Sequence, residues 1–202
     1  NGVLDEAKSR NDPSSQGTAL LSLGDVHFRL GNLDTARSLF DQSRAQFEKP
    51  GDLPNVGHAW QAMAMTDLVS GRFAAAEEEY GRSSTVCTTA QDAECAARGI
   101  VGLAFAQSSQ EHYALAIASY RKAIVAFTGL KKREEAARAE TGLSQALAGN
   151  REYAEALNAA RHANDEGVAI TQPDVVWRAL VAQGRAQRRL AKAGEAQASA
   201  AQ

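Results

Sequence analysis

One arrangement of residues recurs along this chain at an interval of forty positions, and it restricts the possible folds more than any other feature. Leu33, Ala36, Phe40 and Ser43 return as Phe73, Ala76, Tyr80 and Ser83, then as Tyr113, Ala116, Tyr120 and Ala123. A fourth copy reads Tyr153, Ala156, Ala160 and Ala163, and a fifth retains Ala193, Ala196 and Ala200. Self-similarity at a period of roughly 20–50 residues is the signature of a stacked array, in which each unit buries its apolar face against its neighbours.

Each repeat holds two runs with helical spacing. In the first run Leu20, Leu23 and Leu30 with small Gly24 form one stripe, and its successors are Trp60, Met63 and Ala64, then Ile100, Leu103 and Ala104. The second run is Leu33–Phe47. Between them stand Gly31-Asn32 and Gly71-Arg72, where glycine can take the positive φ that ends a helix. Asp12, Asp52 and Asp92 recur in step, each placed to cap a helix start, and Pro13 and Pro54 suit first-turn positions. Valine and isoleucine are too thinly spread for strands. The reading is all-α: residues 17–202 form about five forty-residue units of antiparallel helix pairs, the last incomplete with its second helix near Ala193, and residues 1–16 are the tail of a preceding repeat helix. Loss of the aromatic at Ala160 predicts looser stacking late in the chain.

Composition excludes more than it identifies. A formal net charge of -2 argues against a dedicated nucleic-acid binder, and the Arg185, Arg188, Arg189 and Lys192 cluster lacks interleaved aromatics. No apolar run approaches the ~18 residues of a membrane span. The chain opens on Asn1, which fits a processed product or a fragment; a cytoplasmic location is favoured, and a removed targeting segment is compatible with it.

Nothing assembles into a catalytic centre. His27, His58, His112 and His162 occupy four different frame positions, so stacking does not gather them. The run Glu77, Glu78 and Glu79 reads as a solvated outer face. There is no phosphate loop, HExxH or paired CxxC motif, so no catalytic residue, cofactor or metal is assigned. Cys87 shares a frame position with Phe47 and Phe127 and has two readings, a buried small hydrophobe or one end of a bridge across the turn to Cys95.

Gly24 after Leu23, Gly31 in the turn, then Leu33, Ala36, Phe40 and Ser43 resemble the signature of the tetratricopeptide repeat (TPR) family, in an extended forty-residue variety. The segment Gln172–Leu190 is similar to repeats that precede CHAT domains, caspase-like proteases of bacteria. The resemblance implies a right-handed superhelical solenoid whose first helices line a concave groove. Family geometry then places Thr18, His58, Arg98, Arg138 and Arg178 on one row, with Gln61, Met65, Phe105, Gln145 and Arg185 on neighbouring rows. It implies a non-catalytic scaffold for another protein or an extended, acidic peptide, within a larger multidomain protein. The recognition arm of a CHAT protease and the sensor arm of a transcriptional regulator are the narrower alternatives. Glu94, Glu134 and Asp174 stand four residues before Arg98, Arg138 and Arg178, so these arginines have both a helix-supporting and a ligand-contacting reading. An array without polar end caps could also self-associate.

Overall fold

The computed structural model describes residues 12–200, which form helices joined by short turns with no strand among the described residues. In chain order these are α1 (Pro13–Arg29), α2 (Leu33–Glu48), α3 (Leu53–Val69), α4 (Phe73–Thr89), α5 (Ala93–Ser109), α6 (Tyr113–Gly129), α7 (Arg133–Gly149), α8 (Tyr153–Ala169) and α9 (Pro173–Ala200). The chain divides into two compact halves, Asn1–Ala106 and Gln107–Gln202.

The caps follow from the recurrent aspartates. Asp12 accepts from the Ser14 N–H at 3.1 Å, and Asp92 accepts from the Cys95 N–H at 2.9 Å. Because α1 begins at Pro13, residues 13–16 are its first turn and not the tail of a preceding repeat; residues 1–11 of that expected tail lie outside the described residues.

Every turn closes in one way. The Asn32 N–H donates to the His27 carbonyl at 2.9 Å and the Gly31 N–H to the Phe28 carbonyl at 3.0 Å, a pattern that satisfies carbonyls otherwise orphaned at a helix end. The left-handed residue is Gly31, Gly51 or Gly71 early in the chain, then Gln91, Glu111, Lys131, Arg151 and Thr171. Turns therefore fall every twenty residues. A side chain in this region costs about 1–2 kcal/mol. Lys131→Gly, at φ 58°, should accordingly raise stability by about 0.5–1 kcal/mol in a urea titration; a fall would show that the side chain, not the backbone, holds the turn.

The next twenty-residue step, at Ala191, is not a turn. α9 runs unbroken through it for 28 residues, which corrects the expectation of a second helix starting near Ala193. Leu190, Ala191, Lys192 and Ala193 all favour helix. A strained turn at Ala191 would gain little, because the sequence after it places alanine at positions 193 and 200 where earlier units carry Leu33 and Phe40.

Packing within each half explains the repeated residues. In the first half Phe40 packs with Ala36 and Met63, and Tyr80 with Ala64, Ala76 and Ala106. Buried Ser43 donates to the Gly17 carbonyl at 2.7 Å and buried Ser83 to the Gly57 carbonyl at 2.9 Å, so the small polar position ties the second helix of a pair to the first. In the second half the Tyr120 ring lies over Gly142 and Tyr113 over Gly149. Ala160 and Ala163 are fully buried there without an aromatic.

One acidic residue departs from its expected setting. Glu79 is buried, not solvated with Glu77 and Glu78. Arg37 on α2 reaches it at 2.7 Å and Asp67 of α3 at 2.9 Å, while Arg72 reaches Asp67 at 2.8 Å. Burial and the Asp67 charge push the Glu79 carboxyl up to about 7, against the opposing pull of Arg37.

Candidate functional site

The first half carries an open apolar groove of about 610 Å³. Its walls come from Gln61, Met65, Leu68 and Val69 on α3 and from Arg98, Val101 and Phe105 on α5, with Phe73 and Tyr80 of α4 behind them. Met65, Val69 and Phe105 are 44%, 56% and 47% exposed, an unusual amount of large apolar surface to leave in water on one face. The depth is due to Gly102: a Cβ there would overlap the Tyr80 ring, so the glycine admits the ring beneath it and leaves space above. Burial pushes the Tyr80 hydroxyl up to about 12, so it stays neutral.

Polar groups stand at the rim. Arg98 is half-exposed and paired with Glu94 at 2.5 Å across one helical turn. Gln61 donates through Nε2 to the Cys95 carbonyl at 3.0 Å and lies 3.3 Å from its Sγ, which ties α3 to the start of α5. The groove therefore offers an apolar trough with one cation and one amide at its edge.

Four of the sequence-predicted residues, Gln61, Met65, Arg98 and Phe105, come together in this groove. His58 is placed elsewhere: a ring nitrogen, an Asp92 carboxylate oxygen and Cys95 Sγ lie within 4.8 Å of one another. Cys95 is bonded to Cys87, and both are buried.

In the second half Arg138 and Arg178 belong to an ion-pair ladder, Arg138 to Glu134 and to Asp174 at 2.9 Å each and Arg178 to Asp174 at 2.9 Å. Hydrogen bonding from Arg178 holds Asp174 below the usual carboxylate range. Gln145 and Arg185 line a separate, more polar cavity of about 450 Å³ with Tyr113, Tyr153, Arg151 and Arg189.

Sequence reasoning did not assign Phe73, Tyr80 or Gly102 to the site. A signal existed: positions 22, 62, 102 and 142 hold Ser, Ala, Gly and Gly, a run of small residues one step from the recurrent apolar stripe. Such a run marks where a large side chain of the preceding repeat lies flat.

Residues 15–89 match the tetratricopeptide repeat family. No curated protein sequence matches the chain. Among solved structures, BtubC (BKLC) from P. vanneervenii is similar at 17% identity and a TM-score of 0.71, covering 98% of this chain and 87% of that one. A protein of nearly identical TPR-like repeats from Podosopora anserina is similar at 16% identity and a TM-score of 0.69, covering 93% and 97%. The Rap conjugation gene regulator of plasmid pLS20, solved in complex with a Phr peptide, is similar at 12% identity and a TM-score of 0.66, covering 91% of this chain. This chain spans 53% of that regulator. Identities this low establish fold alone. Residues 15–89 are thus tetratricopeptide repeats, and the rest of the described chain continues in the all-α fold of that repeat class.

Proposed function

We propose that this chain is a protein- or peptide-binding repeat scaffold, without catalysis of its own, and that the groove between α3 and α5 holds an extended peptide. The observation that carries this reading is the apolar trough itself, with Met65, Val69 and Phe105 half in water around a floor opened by Gly102. Apolar anchors in a preformed trough supply most of the affinity in such recognition. Arg98 at the rim adds a preference for a carboxylate beside the anchor, because its half-exposed guanidinium is within reach of an incoming acid that competes with Glu94. The Phr-bound Rap regulator, a longer protein with this fold, supports a sensing arm as the wider context.

A peptide-display selection tests the proposal. Wild type should enrich sequences with an apolar anchor next to an acid. Phe105→Ser should weaken the selected peptides about tenfold or more, a loss of about 1.4 kcal/mol, and Arg98→Glu should shift the preference to basic peptides. Equal binding by Phe105→Ser and wild type would remove the groove as the seat of recognition.

A further inference from the structure

The group around His58 lies outside the groove, and its chemistry is that of a metal site. His58 is on the second turn of α3, Cys87 is in the last turn of α4, Asp92 caps α5 and Cys95 is in the first turn of α5. A His58 nitrogen, an Asp92 oxygen and Cys95 Sγ fall within 4.8 Å of one another, and Cys87 Sγ is bonded to Cys95 Sγ. We propose that reduction of the Cys87–Cys95 bridge makes these four side chains a binding site for a borderline-soft divalent cation, Zn²⁺ foremost.

The donor set fits that ion. Zinc takes thiolate sulfur at about 2.3 Å and imidazole nitrogen or carboxylate oxygen at about 2.0–2.2 Å, in tetrahedral array. Side-chain shifts on the order of 1 Å close His58, Asp92 and Cys95 to that geometry, and Cys87 Sγ, once released from its bond to Cys95, has to swing in to complete it. Its parts are already positioned. The Cys95 N–H holds one Asp92 oxygen at 2.9 Å, which keeps the carboxylate beside the sulfur and leaves its other oxygen to turn inward. Gln61 Nε2, 3.3 Å from Cys95 Sγ, and the amino end of α5 both favour a thiolate there. Gly57 makes room: a Cβ on it would overlap Cys87 Sγ and lie 3.3 Å from Cys95 Sγ. The half-buried His58 and Asp92 form the side by which an ion would enter, and the sulfurs form the buried side.

The repeat frame shows that this constellation is a departure. The positions of His58, Cys87 and Cys95 hold Thr18, Phe47 and Asn55 one repeat earlier, where the Phe47 ring fills the space beside Gly17. Three substitutions to metal-ligating side chains thus coincide in space, around an aspartate that the cap requires anyway. A bridge alone would call for only two of them.

A dithiol reductant passes two electrons and two protons to the bridge, giving two thiols and its own cyclic disulfide. Zn²⁺ then displaces one proton from each thiol to solvent and binds neutral imidazole and ionised carboxylate without further exchange. Oxidation of the thiolates by a disulfide or a peroxide reverses the order and expels the ion. The site is therefore filled in a reducing medium and closed by its own bridge in an oxidising one, independently of whether the groove holds a peptide.

The test uses the full chain, stripped of metal, in bridged form and after anaerobic reduction with a phosphine. Co²⁺ should bind the reduced chain at one equivalent with the visible bands of a tetrahedral thiolate complex, Zn²⁺ should displace it, and the bridged chain should bind neither. His58→Ala should lower Zn²⁺ affinity at least tenfold with helical circular dichroism unchanged, and Cys87→Ser with Cys95→Ser should abolish the thiolate signal. Should the reduced chain lose helix, Zn²⁺ should restore it. A reduced wild type that takes up no Co²⁺ and recovers no helix with Zn²⁺ would overturn the proposal. Uptake that is equal in His58→Ala, or equal in the bridged chain, would overturn it too.

Discussion

Replacing Arg37 by methionine should cost about 3–5 kcal/mol at pH 8, a large loss for a partly exposed side chain. Arg37 is about a third exposed, yet it ends on two carboxylates that are almost wholly buried. Asp67 retains Arg72, but Glu79 loses its ion-pair partner and keeps only the weaker pull of Arg82 against its burial. The buried atoms Asp67 Oδ2 and Glu79 Oε2 have no partner among the described residues. A proton on Glu79 supplies one, since a protonated Glu79 donates to Asp67, and that hydrogen bond is one of the causes that raise its pKa.

The sign of the pH dependence follows. The folded pKa of Glu79, about 7, lies above its ordinary 4.5, so the folded chain holds the proton more tightly than the unfolded chain. Its contribution to stability is full below about 4.5 and is lost as pH rises through about 7. The Arg37→Met deficit should therefore be clearly smaller at pH 5 than at pH 8. Glu79→Gln, which mimics the protonated form, should flatten the dependence in wild type. Urea midpoints across that range decide the matter, and a deficit that does not change with pH would show that Arg37 acts by packing its stem alone.

Gly102→Leu should destabilise the first half by about 2–3 kcal/mol and close the groove at the same time. Its side chain would enter space that the Tyr80 ring occupies, and that ring is buried among Ala64, Ala76 and Ala106 with nowhere to retreat. Helix propensity works the other way by somewhat under 1 kcal/mol, so the steric cost dominates. Gly81→Ala, on α4, is the control. A Cβ there meets nothing within 4 Å, and about 0.5–1 kcal/mol of added stability is expected. Thermal unfolding of the two variants should move in opposite directions; similar shifts would show that glycine at 102 is not held by the Tyr80 contact.

The sequence carried the fold because a repeat array is built from local rules. Forty-residue recurrence of Ala36 and Phe40, the aspartates at 12, 52 and 92, and glycine at 31 and 71 each act on neighbours close in the chain or one repeat away. The same rules failed at Ala191, where a turn expected from the period is absent. Whether a non-glycine residue accepts a left-handed backbone depends on what the next helix can bury. Periodicity records position, not that energy balance.

The site was legible in part for a related reason. Stacking brings equal frame positions of successive first helices side by side, so Gln61, Met65, Arg98 and Phe105 could be gathered by counting. The groove's floor could not, because Tyr80 and Phe73 reach it from the second helix past a glycine. Glu79 was hidden likewise: its partners stand 42 and 12 positions away, and as one of three consecutive glutamates it looked solvated.

By itself, then, the sequence determined an all-helical chain of forty-residue repeats, its caps and its early turns, because short-range sterics and hydrogen bonding set these. Tertiary structure alone decided that Glu79 is buried against Arg37, that His58 and Asp92 converge on Cys95 of the Cys87–Cys95 bridge, and that the last helix runs on without a turn. The first two depend on burial between separate elements, where desolvation and packing outweigh local preference; the last follows because no such burial opposes the local preference for helix.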